Sequence, residues 1–193
     1  MKPTILAVVI GMTVSTNVLA NEEFRSHEAH VHGKVEVNIA QDGQELLVEV
    51  TAPGADVVGF EHAPETAEQK KVFEQAIAQL NKPDELFGFK NASCTLKFKS
   101  VTNTLEDDHD DHKGHDHAEH DHDDHEGHDH SEGGHGEFTV EYHYQCSDIE
   151  KLDTVNTQWF SKFSNTKSMT VNLLTDSAQI QEVLNADRIS FRF

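Results

Sequence analysis

The sequence predicts an α+β fold of antiparallel hairpins packed with two helices and interrupted by a long acidic loop. Three observations predict it: apolar residues that alternate around tight turns, capping sequences that precede helical patterns, and a central tract almost without apolar residues. The chain has 193 residues, which suits one domain, and 36% of them are hydrophobic. We therefore expect a modest core and a folded domain.

Charge and motifs exclude several classes of function. Asp and Glu number 35 against 15 Lys and Arg, and the formal net charge is −20. Nucleic acids and anionic membrane surfaces select for basic patches, so we expect neither as a partner. The sequence also lacks the nucleophile-elbow, phosphate-loop and dinucleotide motifs of common enzymes. A binding protein for cations, and not an enzyme, is predicted.

The first twenty residues, 1–20, have the pattern of a signal peptide. Lys2 gives a positive start, an apolar run follows at 5–14, and Val18 and Ala20 take the small-residue positions of a cleavage site. No later segment approaches the roughly 18 apolar residues that span a bilayer. We expect cleavage after Ala20 and an exported protein that is not integral to a membrane.

The first predicted strands form a hairpin, in which apolar and polar residues alternate. Asp42-Gly43 has the composition of a two-residue hairpin turn. Pairing around this turn places Ile39 opposite Leu46 and makes one face of the hairpin wholly apolar. The residues of that face are Val35, Val37, Ile39, Leu46, Val48 and Val50.

Two capping sequences predict the helices. Thr66 with Gln69, and Ser147 with Glu150, have the spacing of a capping box. Apolar residues follow each box at helical spacing, and Pro83 lies beyond the first set. The first set is Phe73, Ala76, Ile77 and Leu80, and the second is Leu152, Val155, Trp159, Phe160 and Phe163.

The two cysteines indicate a second hairpin. In an exported protein Cys94 and Cys146 are expected to form a disulfide, with a thiolate metal site as the alternative. If they lie side by side, the cross-strand partners are Leu96 with Tyr144, Phe98 with Tyr142, and Lys99 with Glu141. A second hairpin–helix unit would then repeat the first. Further strands are predicted at 170–174, 179–184 and 188–193.

The loop of this second hairpin, residues 106–136, is rich in His, Asp and Glu, and it divides the predicted domain into 21–105 and 137–193. It holds ten His and thirteen acidic residues, and no apolar residue larger than Ala118, so we expect no fixed structure there. Imidazoles and carboxylates are zinc ligands, and the loop is predicted to bind several ions with little selectivity over Ni²⁺ or Cu²⁺. Its histidines are His109, His112, His115, His117, His120, His122, His125, His128, His130 and His135.

Histidines near the predicted strands indicate a second metal site on the folded body. A backward extension of the first strand would place His30 and His32 on one face. Glu61-His62, after a turn at Gly59, supplies the best candidates for the next ligand, and a packed, hydrogen-bonded His62 is the alternative. The remaining candidates are His27 and His143, and an unstructured N-terminus is the alternative for His27, His30 and His32.

Several segments resemble the ZrgA-type periplasmic zinc-uptake proteins. They are the stretches His30-Val31-His32-Gly33, Val58-Gly59-Phe60-Glu61-His62-Ala63-Pro64 and Tyr142-x-Tyr144-x-Cys146, together with the acidic tract. The resemblance implies a periplasmic protein that captures Zn²⁺ for a TonB-dependent uptake system, through an outer-membrane receptor or a downstream transporter. It also implies separate zinc sites on the body and in the loop. A passive periplasmic buffer, or an export-side sponge for Zn²⁺, Ni²⁺ or Cu²⁺, is the alternative.

Overall fold

The computed structural model describes residues 31–106 and 135–193, which form an α+β fold with mostly strands. The strands are β1 (Lys34–Asp42), β2 (Glu45–Pro53), β3 (Phe87–Lys90), β4 (Cys94–Asn103), β5 (Glu137–Cys146), β6 (Thr154–Thr157), β7 (Ser168–Leu174), β8 (Gln179–Leu184) and β9 (Ser190–Arg192). The helices are α1 (Gly54–Val57), α2 (Ala67–Leu80) and α3 (Trp159–Lys162), with 3₁₀ turns at Pro83–Glu85 and Ile149–Lys151. The predicted signal peptide, His27, His30 and nine loop histidines (109–130) lie outside the described residues.

Two sheets enclose the core. The larger has the order β4-β5-β2-β1-β7-β8, with β1 and β7 parallel and the other neighbours antiparallel, and the smaller has the order β3-β6-β9. Aromatic contacts join β5 of the larger sheet to α2 and to β3, as in the pairs Phe73–Phe138 and Phe87–Tyr142. The opposite face of the larger sheet is polar, as expected for an antiparallel sheet with one solvated side. Among the described residues, no helix is long and apolar enough to cross a membrane.

The first hairpin forms with the predicted apolar face but in a different register. Ile39 lies opposite Val48, not Leu46, because the turn is made by Gly43 and Gln44 and not by Asp42-Gly43. Gly43 has φ 57, which suits the first central position of a hairpin turn. The two registers differ by two residues, so both bury the same side chains and the apolar pattern cannot distinguish them.

The second hairpin contains the Cys94–Cys146 disulfide, and its register changes after Leu96. Leu96 pairs with Tyr144 as predicted, but a β-bulge follows and shifts the next partners by one residue. Phe98 therefore lies opposite His143, and Lys99 lies opposite Tyr142. The predicted pairs Phe98–Tyr142 and Lys99–Glu141 are wrong, and Phe98 is half exposed.

The second predicted helix, at Leu152–Phe163, does not form. Thr154–Thr157 is strand β6, and α3 has four residues. The buried residues of β6 are Val155 and Thr157, so the alternation of a strand replaces the helical spacing. The predicted pseudo-repeat is therefore not found in the described part of the chain. Of the last strand, only Ser190–Arg192 forms.

Helix α2 agrees with its prediction. The Thr66 side chain accepts a hydrogen bond from the Gln69 amide at 3.1 Å, and the Gln69 side chain accepts one from the Thr66 amide at 3.1 Å. Phe73, Ala76 and Leu80 are buried. The hydroxyl of Tyr142 donates a hydrogen bond to the last carbonyl of the helix, which fixes α2 on β5.

Candidate metal centre

Three potential metal ligands converge at one edge of the larger sheet: His32, Glu61 and His135. One ligand atom of each lies within 4.8 Å of the other two. His32 Nε2 is 2.6 Å from Glu61 Oε1, and His135 Nδ1 is 2.6 Å from Glu61 Oε2. The two imidazole rings meet edge to face, with centroids 6.0 Å apart. In the described residues this is the one group of three such ligands.

His32 lies in a turn that precedes β1. The prediction that β1 extends backwards through His32 is wrong, because Gly33 has φ 82, which extended strands do not contain. The Gly33 carbonyl accepts hydrogen bonds from the amides of Lys167 and Ser168, both at 2.9 Å. The turn is thereby tied to β7, and the His32 side chain is 58% exposed.

Glu61 follows α1 and a turn at Gly59, which has φ 88. Its side chain is 19% exposed, and Oε1 is buried without a well-aligned hydrogen-bond donor, although His32 lies beside it. Burial alone would raise the pKa of this carboxyl. The hydrogen bond from His135 and the electrostatic attraction of His32 outweigh burial, so the pKa of Glu61 lies below its ordinary value. Glu61 is therefore a carboxylate at neutral pH.

His135 immediately precedes Gly136 and the start of β5. The sequence pattern groups His135 with the loop histidines, but the structure places its ring against Glu61 of the body. The Gly54 amide donates a hydrogen bond to the Gly136 carbonyl at 2.6 Å, which fixes the chain next to His135. One sequence signal distinguishes it: the gap of five from His130 is the longest in the tract.

The three ligands have the chemistry of a zinc site. Two imidazole nitrogens and one carboxylate oxygen are common zinc ligands, with bonds of about 2.0–2.2 Å. In a tetrahedral site of that size, ligand atoms are roughly 3.3 Å apart. The two short contacts to Glu61 would have to widen by less than an ångström to admit an ion. Both imidazoles are more than half exposed, so a fourth position would face solvent.

The other predicted body ligands that the structure describes lie apart from this group. His62 is exposed, its ring stacks on Phe60, and its Nδ1 donates a hydrogen bond to the Ala63 carbonyl at 2.8 Å. His143 lies on the polar face of the sheet, 3.9 Å from Glu141 and against Phe98. Neither is brought together with His32, Glu61 and His135.

Comparison with known proteins agrees with this chemistry. A family model described as "ZrgA family zinc uptake protein" matches residues 29–193, which include all three ligands and both sheets. No curated protein matches the chain.

Proposed function

Because the chain belongs to the ZrgA family of zinc uptake proteins, we propose that it captures Zn²⁺ in the periplasm and holds one ion on His32, Glu61 and His135. The single observation that carries this proposal is the convergence of two imidazoles on one ionised carboxylate. The three side chains come from distant parts of the sequence, and backbone hydrogen bonds fix the residues next to His32 and His135. Such a preorganised set of ligands binds a cation at a smaller entropic cost than a flexible set does.

The acidic tract has a different proposed role. Its many histidines and carboxylates supply interchangeable ligands, so the tract collects ions and the body centre holds one of them more specifically. The geometry of the body favours this arrangement, because the tract enters and leaves next to the centre. The Thr104 amide donates a hydrogen bond to the Glu137 carbonyl at 3.0 Å, and His135 itself is a proposed ligand.

Localisation and partner are further parts of the proposal. Residues 1–20 would direct export, with cleavage after Ala20, and a disulfide such as Cys94–Cys146 suits an oxidising periplasm. A TonB-dependent receptor of the outer membrane, or a transporter that follows it, would be the partner. We propose a role in binding and delivery, without catalysis. Retention of zinc uptake in a deletion strain grown without added zinc would contradict this role.

The body centre is tested by zinc titration of a variant that lacks the acidic tract. The deletion has to stop at residue 134, since His135 belongs to the centre. We expect the variant lacking 107–134 to retain one tight zinc site, as measured by competition against a chromophoric chelator. H32Q, E61Q or H135Q in that background should each weaken zinc binding by at least about tenfold, which corresponds to about 1.4 kcal/mol.

H143Q is the matched control, because His143 is also an exposed imidazole on the sheet but lies apart from the centre. It should leave the affinity unchanged. Loss of all tight binding on deletion of 107–134 would favour the passive buffer, or a sponge for Zn²⁺, Ni²⁺ or Cu²⁺. Equal losses in H143Q and H32Q would show that the three proposed ligands do not form the site.

A further inference from the structure

We propose that Asp56 is a positioning residue for the metal centre, and that it acts by fixing the turn that carries His32. This inference rests on the proposed zinc site and names a residue outside the ligand set. Asp56 belongs to α1, and its side chain touches no ligand atom that the structure records. Its effect on a bound ion would therefore pass through the backbone of Gly33, the residue next to His32.

The hydrogen bond of Asp56 is short and buried. Oδ1 accepts from the Gly33 amide at 2.6 Å, and the residue is 2% exposed. A carboxylate that accepts a backbone N–H makes a stronger hydrogen bond than a neutral acceptor does. The other oxygen, Oδ2, is buried and has no hydrogen-bond partner among the described residues. Burying a half-satisfied carboxylate opposes folding, so stability alone does not account for an acid at this position.

Helix α1 contacts all three segments that carry the ligands. Asp56 holds the segment of His32, and the Gly54 amide holds the segment of His135 through the carbonyl of Gly136. A side chain at Gly54 would place its Cβ 2.6 Å from the Phe60 carbonyl, next to Glu61, and 3.0 Å from the Gly136 carbonyl. These approaches require glycine there. The short helix is thus the common support of the centre, and Asp56 is its one charged side chain.

The support matters because His32 has little packing of its own. Its ring is more than half exposed, and the chain before Val31 lies outside the described residues. The turn at Gly33 needs a positive φ, which the hydrogen bond to Asp56 and the two bonds from the amides of Lys167 and Ser168 maintain. Partners that orient a metal ligand commonly contribute tenfold to a hundredfold in affinity.

The test follows the imidazole signals of His32 and His135 by nuclear magnetic resonance in the full mature chain. Free zinc is set by a chelator buffer, and H32Q and H135Q assign the two signals. We expect D56A to raise the zinc concentration at the midpoint of the His135 signal by at least about tenfold. D56N keeps an acceptor oxygen for the Gly33 amide, so its midpoint should stay within about threefold of the original protein.

Repeating D56A in the H32Q variant distinguishes an effect on the position of His32 from a general loss of structure. In H32Q the ligand that Asp56 positions is gone, so D56A should weaken binding at His135 little further. Thermal unfolding without zinc reports the stability of each variant. If D56A does not fold, D56N and D56E decide: D56E keeps the charge but displaces the oxygen, and it should weaken binding by about tenfold where D56N does not.

Three outcomes would overturn the inference: a D56A midpoint equal to that of the original protein, a D56N loss as large as that of D56A, or the same D56A loss in H32Q. Failure of the proposed function looks different. In that case the signals of His32 and His135 in the unaltered chain would not respond to zinc at all.

Discussion

In the proposed centre, a proton and a zinc ion would compete for the same imidazole nitrogens of His32 and His135. Metal binds only the neutral form of an imidazole, and an imidazole in water titrates near pH 6.5. Glu61 is not limited by protonation in this pH range. Its lowered pKa keeps it ionised at pH values where an ordinary glutamate would be half protonated. We therefore expect the loss of affinity on mild acidification to come from the two histidines.

We predict that zinc affinity of the variant lacking 107–134 falls steeply below about pH 6. With two imidazole ligands, the logarithm of the association constant should drop by about two for each pH unit well below the imidazole pKa. Competition titrations near pH 7.5 and near pH 5.5 measure the change. H32Q, which removes one imidazole, should show about half the slope. Equal affinity at the two pH values would mean that carboxylates are the ligands.

At the scale of single residues, the sequence indicates a ligand only where neighbouring residues along the chain mark its position. His32 and Glu61 were both recognisable, because a histidine cluster precedes the first strand and Glu61 follows a glycine turn. The place of His135 was not, since it depends on where the acidic tract rejoins the sheet. Asp56 was missed as well, although it is the one charged residue in an otherwise small and apolar stretch at 52–59.

At the scale of elements, the apolar patterns predicted which side chains are buried more accurately than they predicted which residues pair across strands. The residues of the first hairpin that were expected on one face are all buried, and β8 has the predicted bounds. Register was less predictable, because a two-residue shift in the first hairpin and a bulge in β4 leave the apolar pattern nearly unchanged. The helix prediction at Leu152–Phe163 was wrong for the same reason, because the spacing of Leu152, Val155 and Trp159 also suits a turn, a strand and a short helix.

The capping box of α2 gives a prediction at this scale. T66A removes the side chain that accepts the hydrogen bond from the Gln69 amide, and that amide then lies at a helix start without its partner. We expect the free energy of unfolding to fall by about 1 kcal/mol. Urea denaturation measures it, and T66S, which keeps a hydroxyl and is at least as good an N-cap, should leave the free energy of unfolding within about 0.3 kcal/mol of the original value. An unchanged T66A would mean that the start of α2 contributes nothing to stability.

At the scale of the whole molecule, long-range links hold together parts of the chain that the acidic tract separates. The disulfide joins β4 to β5 across 52 positions, and the larger sheet places β5 beside β2. The metal centre lies at the other end of the same hairpin, where Thr104 meets Glu137. The tract carries ten histidines and thirteen acidic residues. The chain on either side of it is fixed to the body by the hydrogen bond between Thr104 and Glu137. Ligand exchange between tract and centre would thus require no rearrangement of the sheets.

The length of the tract also determines how much the disulfide stabilises the fold. Cross-linking across 52 positions removes unfolded-state entropy worth about 4 kcal/mol at most, and the value grows with the logarithm of the enclosed length. C94A/C146A should therefore destabilise the full chain more than the variant in which a short Gly-Ser linker replaces 107–134, by roughly 0.5 kcal/mol. Urea denaturation of the full chain and the shortened variant, each with and without C94A/C146A, measures the difference. The effects of the alanine substitutions themselves cancel in it. A larger loss in the shortened variant would contradict the entropic origin of the stabilisation.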